Sequence, residues 1–345
     1  MKFRQNHPPK SVVKRVGFIP GLRLSELFFQ QQVRPILDKH FPQLRYSAAL
    51  IGWGSEVLDF DTPLSRDHHW GPRVLLFLSE QDYPRLHRKI SNALSLNLPY
   101  DFMGYSTNFS KPEPNGVRHP IRIKSGRVNH MINIYTVRAF IEARLGIDLN
   151  KPITTADWLT LPQQRLLELT SGAVYHDGLG ELKKMRARFA YYPKDVWLHL
   201  LAAQWTAISE EEAFVGRTGH VGDELGSQVI TARLVHEIIK LSFLMERKYA
   251  PYSKWLGTAF VKLPISKKLA PMLNQALRAK TWKSREKWLA KAYLLMVQQH
   301  NALKITKPVA NEITNYYNRP YKVIFAERVA AAIKQTMRKP KVKGN

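Results

Sequence analysis

Apolar residues fall in short unbroken runs over roughly the first 150 positions and at helical spacing over the rest. That change of period predicts a sheet-bearing half followed by a helical one. Residues 21–41 carry Leu24, Leu27, Phe28, Ile36 and Leu37 at helical spacing, with Pro35 expected to kink or interrupt the helix. Strands are predicted at 46–51, 73–78 and 131–137. Between the last two, Ser79 is expected to cap a helix running to about residue 95, with Leu86, Ile90 and Leu94 on one face. Residues 108–118, rich in Pro, Gly and Asn, read as a loop.

After about residue 150 the pattern is helical. Thr155 precedes one segment, Pro162 opens another through Leu169, and Pro193 opens 196–205. Residues 223–247 carry a wide apolar stripe from Leu225 to Met245 that predicts a core helix. Further helices are expected at 268–279, 283–299 and 326–337. Ser209 reads as an N-cap, which would make Glu210, Glu211 and Glu212 a solvated helix start. Tryptophans 158, 197, 205, 255, 282 and 288 are expected to pack the helical core. The predicted organisation is a basic arm at 1–15, an α+β domain with a small mixed sheet at 16–150, an all-helical domain at 151–338 and a basic tail at 339–345.

Composition narrows the function classes. The 345 residues include no cysteine, which excludes disulfides, thiolate metal sites and cysteine nucleophiles. No apolar run reaches the length of a membrane span and the basic N-terminus lacks an apolar segment, so a cytoplasmic protein is expected. Charge changes the picture more. Lys plus Arg number 53 against 27 acidic residues, a net charge of +26, which favours a polyanionic partner such as a nucleotide or RNA. From Val261 to Asn311 Glu286 is the only acid against eleven Lys or Arg, among them Lys283, Lys287 and Lys291 at i, i+4, i+8 on one helix face.

Candidate chemistry concentrates around the second strand. Gly54-Ser55 follows the first strand, and Asp67-His68-His69 precedes the second. A Gly-Ser turn lets backbone N–H groups approach an anion, and a carboxylate on the next strand can hold Mg²⁺ against the same phosphates. On a strand, Asp67 and His69 would share one face and His68 the other. P-loop, Gly-x-Gly-x-x-Gly, His-Glu-x-x-His and Gly-x-Ser-x-Gly signatures are absent from the sequence.

These residues resemble the nucleotidyltransferase superfamily, the polymerase-beta-like enzymes that include the aminoglycoside nucleotidyltransferases. Its pattern of Gly-Ser, then Asp-x-Asp or Asp-x-Glu, is met by Gly54-Ser55 and Asp67, while His69 stands where a second carboxylate would be. The stretches 54–58, 67–73, 221–227 and 249–257 look like a bacterial nucleotidyltransferase-like family of unknown function, over about residues 15 to 338. The resemblance implies transfer of a nucleoside monophosphate from a nucleoside triphosphate to a hydroxyl, releasing pyrophosphate, with Mg²⁺ or Mn²⁺ on Asp67. It implies nucleotide contacts from Gly54, Ser55, Arg73, Tyr252 and Lys254, and a general base from Glu224 or Asp223. His69 and the acid-free strand around Ile132 leave a second reading open, a nucleotide- or RNA-binding module without catalysis.

Overall fold

The computed structural model describes residues 17 to 338, with Asp67 and Arg338 described by their backbone alone. The predicted arm and tail lie outside the described residues. The fold class is α+β. The chain divides into two compact units: the first takes the residues up to Ile141 together with Ser171–Met185, the second Glu142–Thr170 together with the chain from Arg186 onward.

The first unit is built on a four-stranded mixed sheet of β1 (Tyr46–Leu50), β2 (Arg73–Leu78), β5 (Met131–Thr136) and β6 (Ala173–Asp177), in the order β5-β2-β1-β6. A two-stranded ribbon, β3 (Asp101–Phe102) and β4 (Tyr105–Ser106), lies between β2 and β5 in the chain. β1 runs antiparallel to both β2 and β6, and β2 parallel to β5 with Arg73 opposite Met131. Every residue of β1 and β2 is buried, which is why both read as continuous apolar runs rather than alternating ones. The region from Gly21 to His40 stays helical throughout, but with a π turn at Phe29–Val33 directly before Arg34-Pro35. In the widened turn the Arg34 N–H donates to the Phe29 carbonyl, directly before the residue that has no N–H, so the expected interruption is a bulge and not a break. Leu24, Phe28, Phe29 and Val33 from this helix join Ile90 and Leu94 of the Tyr83–Asn97 helix in covering one sheet face through Ala48, Val74 and Leu76. Ser79 does not cap the helix as expected: its Oγ accepts from the Asp82 N–H at 3.0 Å in the turn before it, and Asp82 is the N-cap of a helix that starts at Tyr83.

β6 falls where only helices were expected. Its backbone follows Gly172, whose φ of +71° suits glycine and where a Cβ would strike the Leu50 carbonyl. Ser47 on β1 donates to Asp177 at 2.7 Å, pinning the far end.

The second unit is helical. Its longest elements are Lys194–Glu211, Glu224–Met245, Ser266–Arg278 and Trp282–Ala302, with the last helix, Glu327–Arg338, packed on the first of these. Trp158, Trp197 and Trp205 are buried as expected, while Trp255, Trp282 and Trp288 are only partly so. A hairpin, β7 (Thr314–Tyr316) and β8 (Arg319–Val323), precedes the last helix. The acidic run at 210–212 is not a helix start. Glu210 and Glu211 end the Lys194–Glu211 helix, and Glu212 is buried, accepting from the N–H groups of Ile324 and Ala326 at 2.8 and 2.9 Å. Burial pushes its carboxyl up to about 7 against those two hydrogen bonds, which pull the other way.

Candidate anion site in the loop between the first two strands

The chain between β1 and β2 is held by two internal anchors. Asp61 accepts from the Gly21 N–H at 2.7 Å and from Trp70 Nε1 at 2.9 Å, tying the loop to the first helix and to a buried indole. Arg73, the first residue of β2, is only 4% exposed. Its Nε donates to Glu56 at 2.7 Å, its Nη2 donates to the Trp53 carbonyl at 2.7 Å, and its guanidinium lies 4.2 Å from the Trp53 ring centre. Gly54 sits inside this arrangement with φ +132°, and a Cβ there would collide with the Arg73 guanidinium and the Glu56 carboxylate. The glycine therefore makes room for a buried ion pair. The Ser55 carbonyl accepts from Leu58 and Phe60 at 3.2 and 2.9 Å, closing the turn.

Asp67 and His69 do not lie on a strand. Pro63–Asp67 is a 3₁₀ turn opened by Thr62, whose hydroxyl and Ser65 form a capping box. His68 is extended, and His69 has φ +51°, so alternation across a strand does not apply to this segment. The signal for the turn was in the sequence, as Thr62-Pro63-x-Ser65.

His69 instead packs edge-on against Trp53 with ring centres 4.7 Å apart, and its backbone N–H donates to the Arg118 carbonyl at 2.9 Å. Burial lowers its pKa, and the positive fields of Arg73, His68, Arg118 and His119 lower it further. Its Nδ1 is buried without a hydrogen-bond partner. Arg118 donates to the carbonyls of Ser110, Asn129 and His130 at 2.9, 3.2 and 3.4 Å, and His119 Nε2 is 3.0 Å from Glu113. Sequence reading placed Arg118 at the end of a loop and assigned nothing to His119. Their nearness to His69 depends on backbone bonds between segments fifty residues apart, which no local pattern carries.

The arrangement suits an anion better than a hard divalent cation. Among the described residues no group of three His, Asp or Glu side chains is spaced to hold a metal ion. Glu56 is committed to Arg73, and imidazole is a poor Mg²⁺ ligand. The described donors do not fit a Mg²⁺ site.

The remaining predicted site residues belong to the second unit. Asp223 is the N-cap of the Glu224–Met245 helix and accepts from the Gly226 N–H at 2.7 Å. Glu224 is paired with Arg285, which is 1% exposed and also donates to Ser227 Oγ and the Ala279 carbonyl, both at 3.0 Å. Neither carboxylate stands unengaged as a base. Tyr252 caps the Ser253–Phe260 helix, is half exposed, and lines an open groove of about 320 Å³ with Gln163, Gln164, His236 and Lys240. Lys254 lies 5.0 Å over the Trp255 ring.

Residues 158–256 match the model of a family described as a domain of unknown function (DUF4037). That match takes in Asp223, Glu224, Tyr252 and Lys254 and leaves out Gly54, Ser55 and Asp67. No curated protein matches the chain. Among solved structures, the chain is similar to a nucleotidyltransferase-like protein from Exiguobacterium sibiricum 255-15, at 10% identity over 89% of each chain with a TM-score of 0.31. A likeness at that score does not define a shared fold. No helix among the described residues is long and apolar enough to cross a membrane.

Proposed function

We propose that this chain is a nucleotidyltransferase-like protein whose loop between β1 and β2 binds the phosphates of a nucleoside triphosphate, and that binding itself needs no metal. The observation that carries this reading is the set of positive and imidazole groups around His69, namely His68, Arg73, Arg118 and His119 beside Trp53. Arg73 is neutralised by Glu56 and His119 lies against Glu113, so Arg118 supplies the standing charge that meets phosphate. The turn at Gly54-Ser55 gives the backbone of the same loop a place against the anion. An arriving phosphate favours the imidazolium form of His69, whose pKa is held down in the free protein. Binding therefore takes up protons and tightens as pH falls below the ordinary imidazole value of 6.5.

A second reading keeps nucleotidyl transfer: Asp67, which ends the 3₁₀ turn two residues before His69, is the residue that would hold Mg²⁺ or Mn²⁺.

The test is incubation with each α-labelled nucleoside triphosphate, divalent metal and total cellular RNA or lysate, comparing wild type with Asp67→Ala, beside equilibrium binding of the same nucleotides to wild type and Arg118→Gln. Binding weakened at least tenfold by Arg118→Gln supports the phosphate site, and unchanged binding removes it. Label transfer that disappears in Asp67→Ala supports catalysis. Equal labelling by the two proteins takes Asp67 out of the mechanism.

A further inference from the structure

The helical unit carries a second aromatic and cationic surface, made by the Phe214–His220 helix, the first turn of the Trp282–Ala302 helix and the β7–β8 hairpin. We infer that this surface binds single-stranded nucleic acid and seats one base in a cavity of about 460 Å³ lined by His220, Trp282, Lys283, Glu286 and Pro320. The inference is independent of the phosphate site in the first unit.

Three aromatic rings cluster at the cavity, and His220 and Trp282 line it. The rings of His220 and Trp282 are 6.2 Å apart, and Tyr321 stands 6.0 Å from the first and 6.2 Å from the second. Two glycines keep these faces in place. A Cβ on Gly219 would run into the Trp282 side chain, and one on Gly216 would come within 2.7 Å of Tyr321 and 2.8 Å of Glu286 Oε1. Glu286 is 8% exposed and its Oε1 has no hydrogen-bond partner.

Outside the cavity the aromatic surface continues. Tyr317 is 74% exposed, its ring 4.9 Å from Tyr316 and 5.5 Å from Phe325, and Phe214 is 39% exposed. Cations interleave with these rings. Arg217 lies 5.0 Å over Phe214 and 6.0 Å over Tyr316, and Lys283 lies 5.6 Å over Trp282. Arg319 and Lys322 are exposed on the hairpin.

Charge complementarity selects the occupant. An acidic peptide would use the cations and leave the exposed rings idle, while an ammonium ligand would meet Lys283 and Arg217. Single-stranded nucleic acid uses both features, with bases stacked on aromatic faces and phosphates on interleaved Lys and Arg. A duplex keeps its bases stacked on each other and cannot enter. Stacking adds a preference, since adenine presents a larger π-face than uracil to the aromatic rings.

Fluorescence anisotropy with labelled ten-nucleotide oligo(A) and oligo(U) tests the inference. The expected results are oligo(A) binding tighter than oligo(U), and Tyr317→Ala weakening binding by about five- to a hundred-fold through lost stacking. Tyr317 is exposed, so an unchanged thermal melt checks that the variant is folded. Lys283→Gln is expected to lower the slope of log affinity against log salt by about 0.7. In an Arg118→Gln background oligonucleotide affinity is expected to stay as in wild type. Affinities of Tyr317→Ala and Lys283→Gln equal to wild type, a duplex binding as tightly as the single strand, loss of binding in Arg118→Gln, or failure of wild type to bind either oligonucleotide would each overturn it.

Discussion

Each unit buries an arginine against a glutamate, and the two pairs differ in what they leave open. Arg73 and Glu56 are both about 4% exposed by side chain, braced by a tryptophan carbonyl and ring. Arg285 is equally buried at 1%, but its partner Glu224 is 42% exposed. The first pair is part of the core of a loop and fixes where that loop sits. The second ends at the surface, where solvent or a ligand can compete for the carboxylate. A charged residue beside a glycine-serine turn is therefore no guide by itself to ligand contact, since here Arg73 serves the turn. Arg118, near His69, instead donates to the backbone carbonyls of Ser110, Asn129 and His130.

The largest effect separating the pairs is on stability. Glu56→Ala leaves a buried guanidinium uncompensated and is expected to cost about 3–5 kcal/mol in a denaturant melt. A loss under 1 kcal/mol would mean that Arg73 finds another partner and that the pair does not brace the loop. Gly54→Ala should follow at about 1–3 kcal/mol, because its backbone is in a region L-residues avoid and its Cβ meets the same pair. Glu224→Gln keeps a hydrogen-bond acceptor at a half-open position, and about 1–2 kcal/mol is expected from the lost charge on that bond. If Glu224→Gln proves costlier than Glu56→Ala, the comparison is reversed.

How much of this was legible in the sequence follows from the same distinction. β1, β2 and β5 announced themselves because strands buried on both faces are unbroken apolar runs. β6 was missed because Ala173-Val174-Tyr175-His176-Asp177 is short and only half buried, although Gly172 and Gly178 on its flanks were available as a signal. Asp67 and His69 were read on a strand because the apolar run after them begins close by. The capping box at Thr62 and the left-handed His69 turn the chain first. Arg285 sat among surface lysines in a basic stretch, and its burial depends on Glu224 and Ser227, about sixty residues away. Lys283, Lys287 and Lys291 on the same helix are exposed as their spacing predicts. A charge-neutralisation test of that face must therefore spare Arg285, and the triple Lys→Gln variant should change thermal stability by less than about 0.5 kcal/mol.

A smaller effect concerns pH. Glu212 has its carboxyl raised from 4.5 to about 7 by burial, so the folded state prefers it protonated. Its contribution to stability is fully present below about pH 4.5 and is lost as pH rises through about 7. The melting temperature of wild type should fall by a few degrees between pH 5 and 8 relative to Glu212→Gln, which lacks the titrating group. Parallel curves for the two proteins would show that the carboxyl is not strained.

The most direct test of the central claim is a calorimetric titration of wild type and Arg118→Gln with ATP, in Mg²⁺ and again in excess chelator. Phosphate recognition by Arg118 and the histidines around His69 predicts that wild-type affinity survives the chelator, and that Arg118→Gln weakens it at least tenfold in both conditions. Affinity abolished by the chelator and unchanged in Arg118→Gln would contradict the claim.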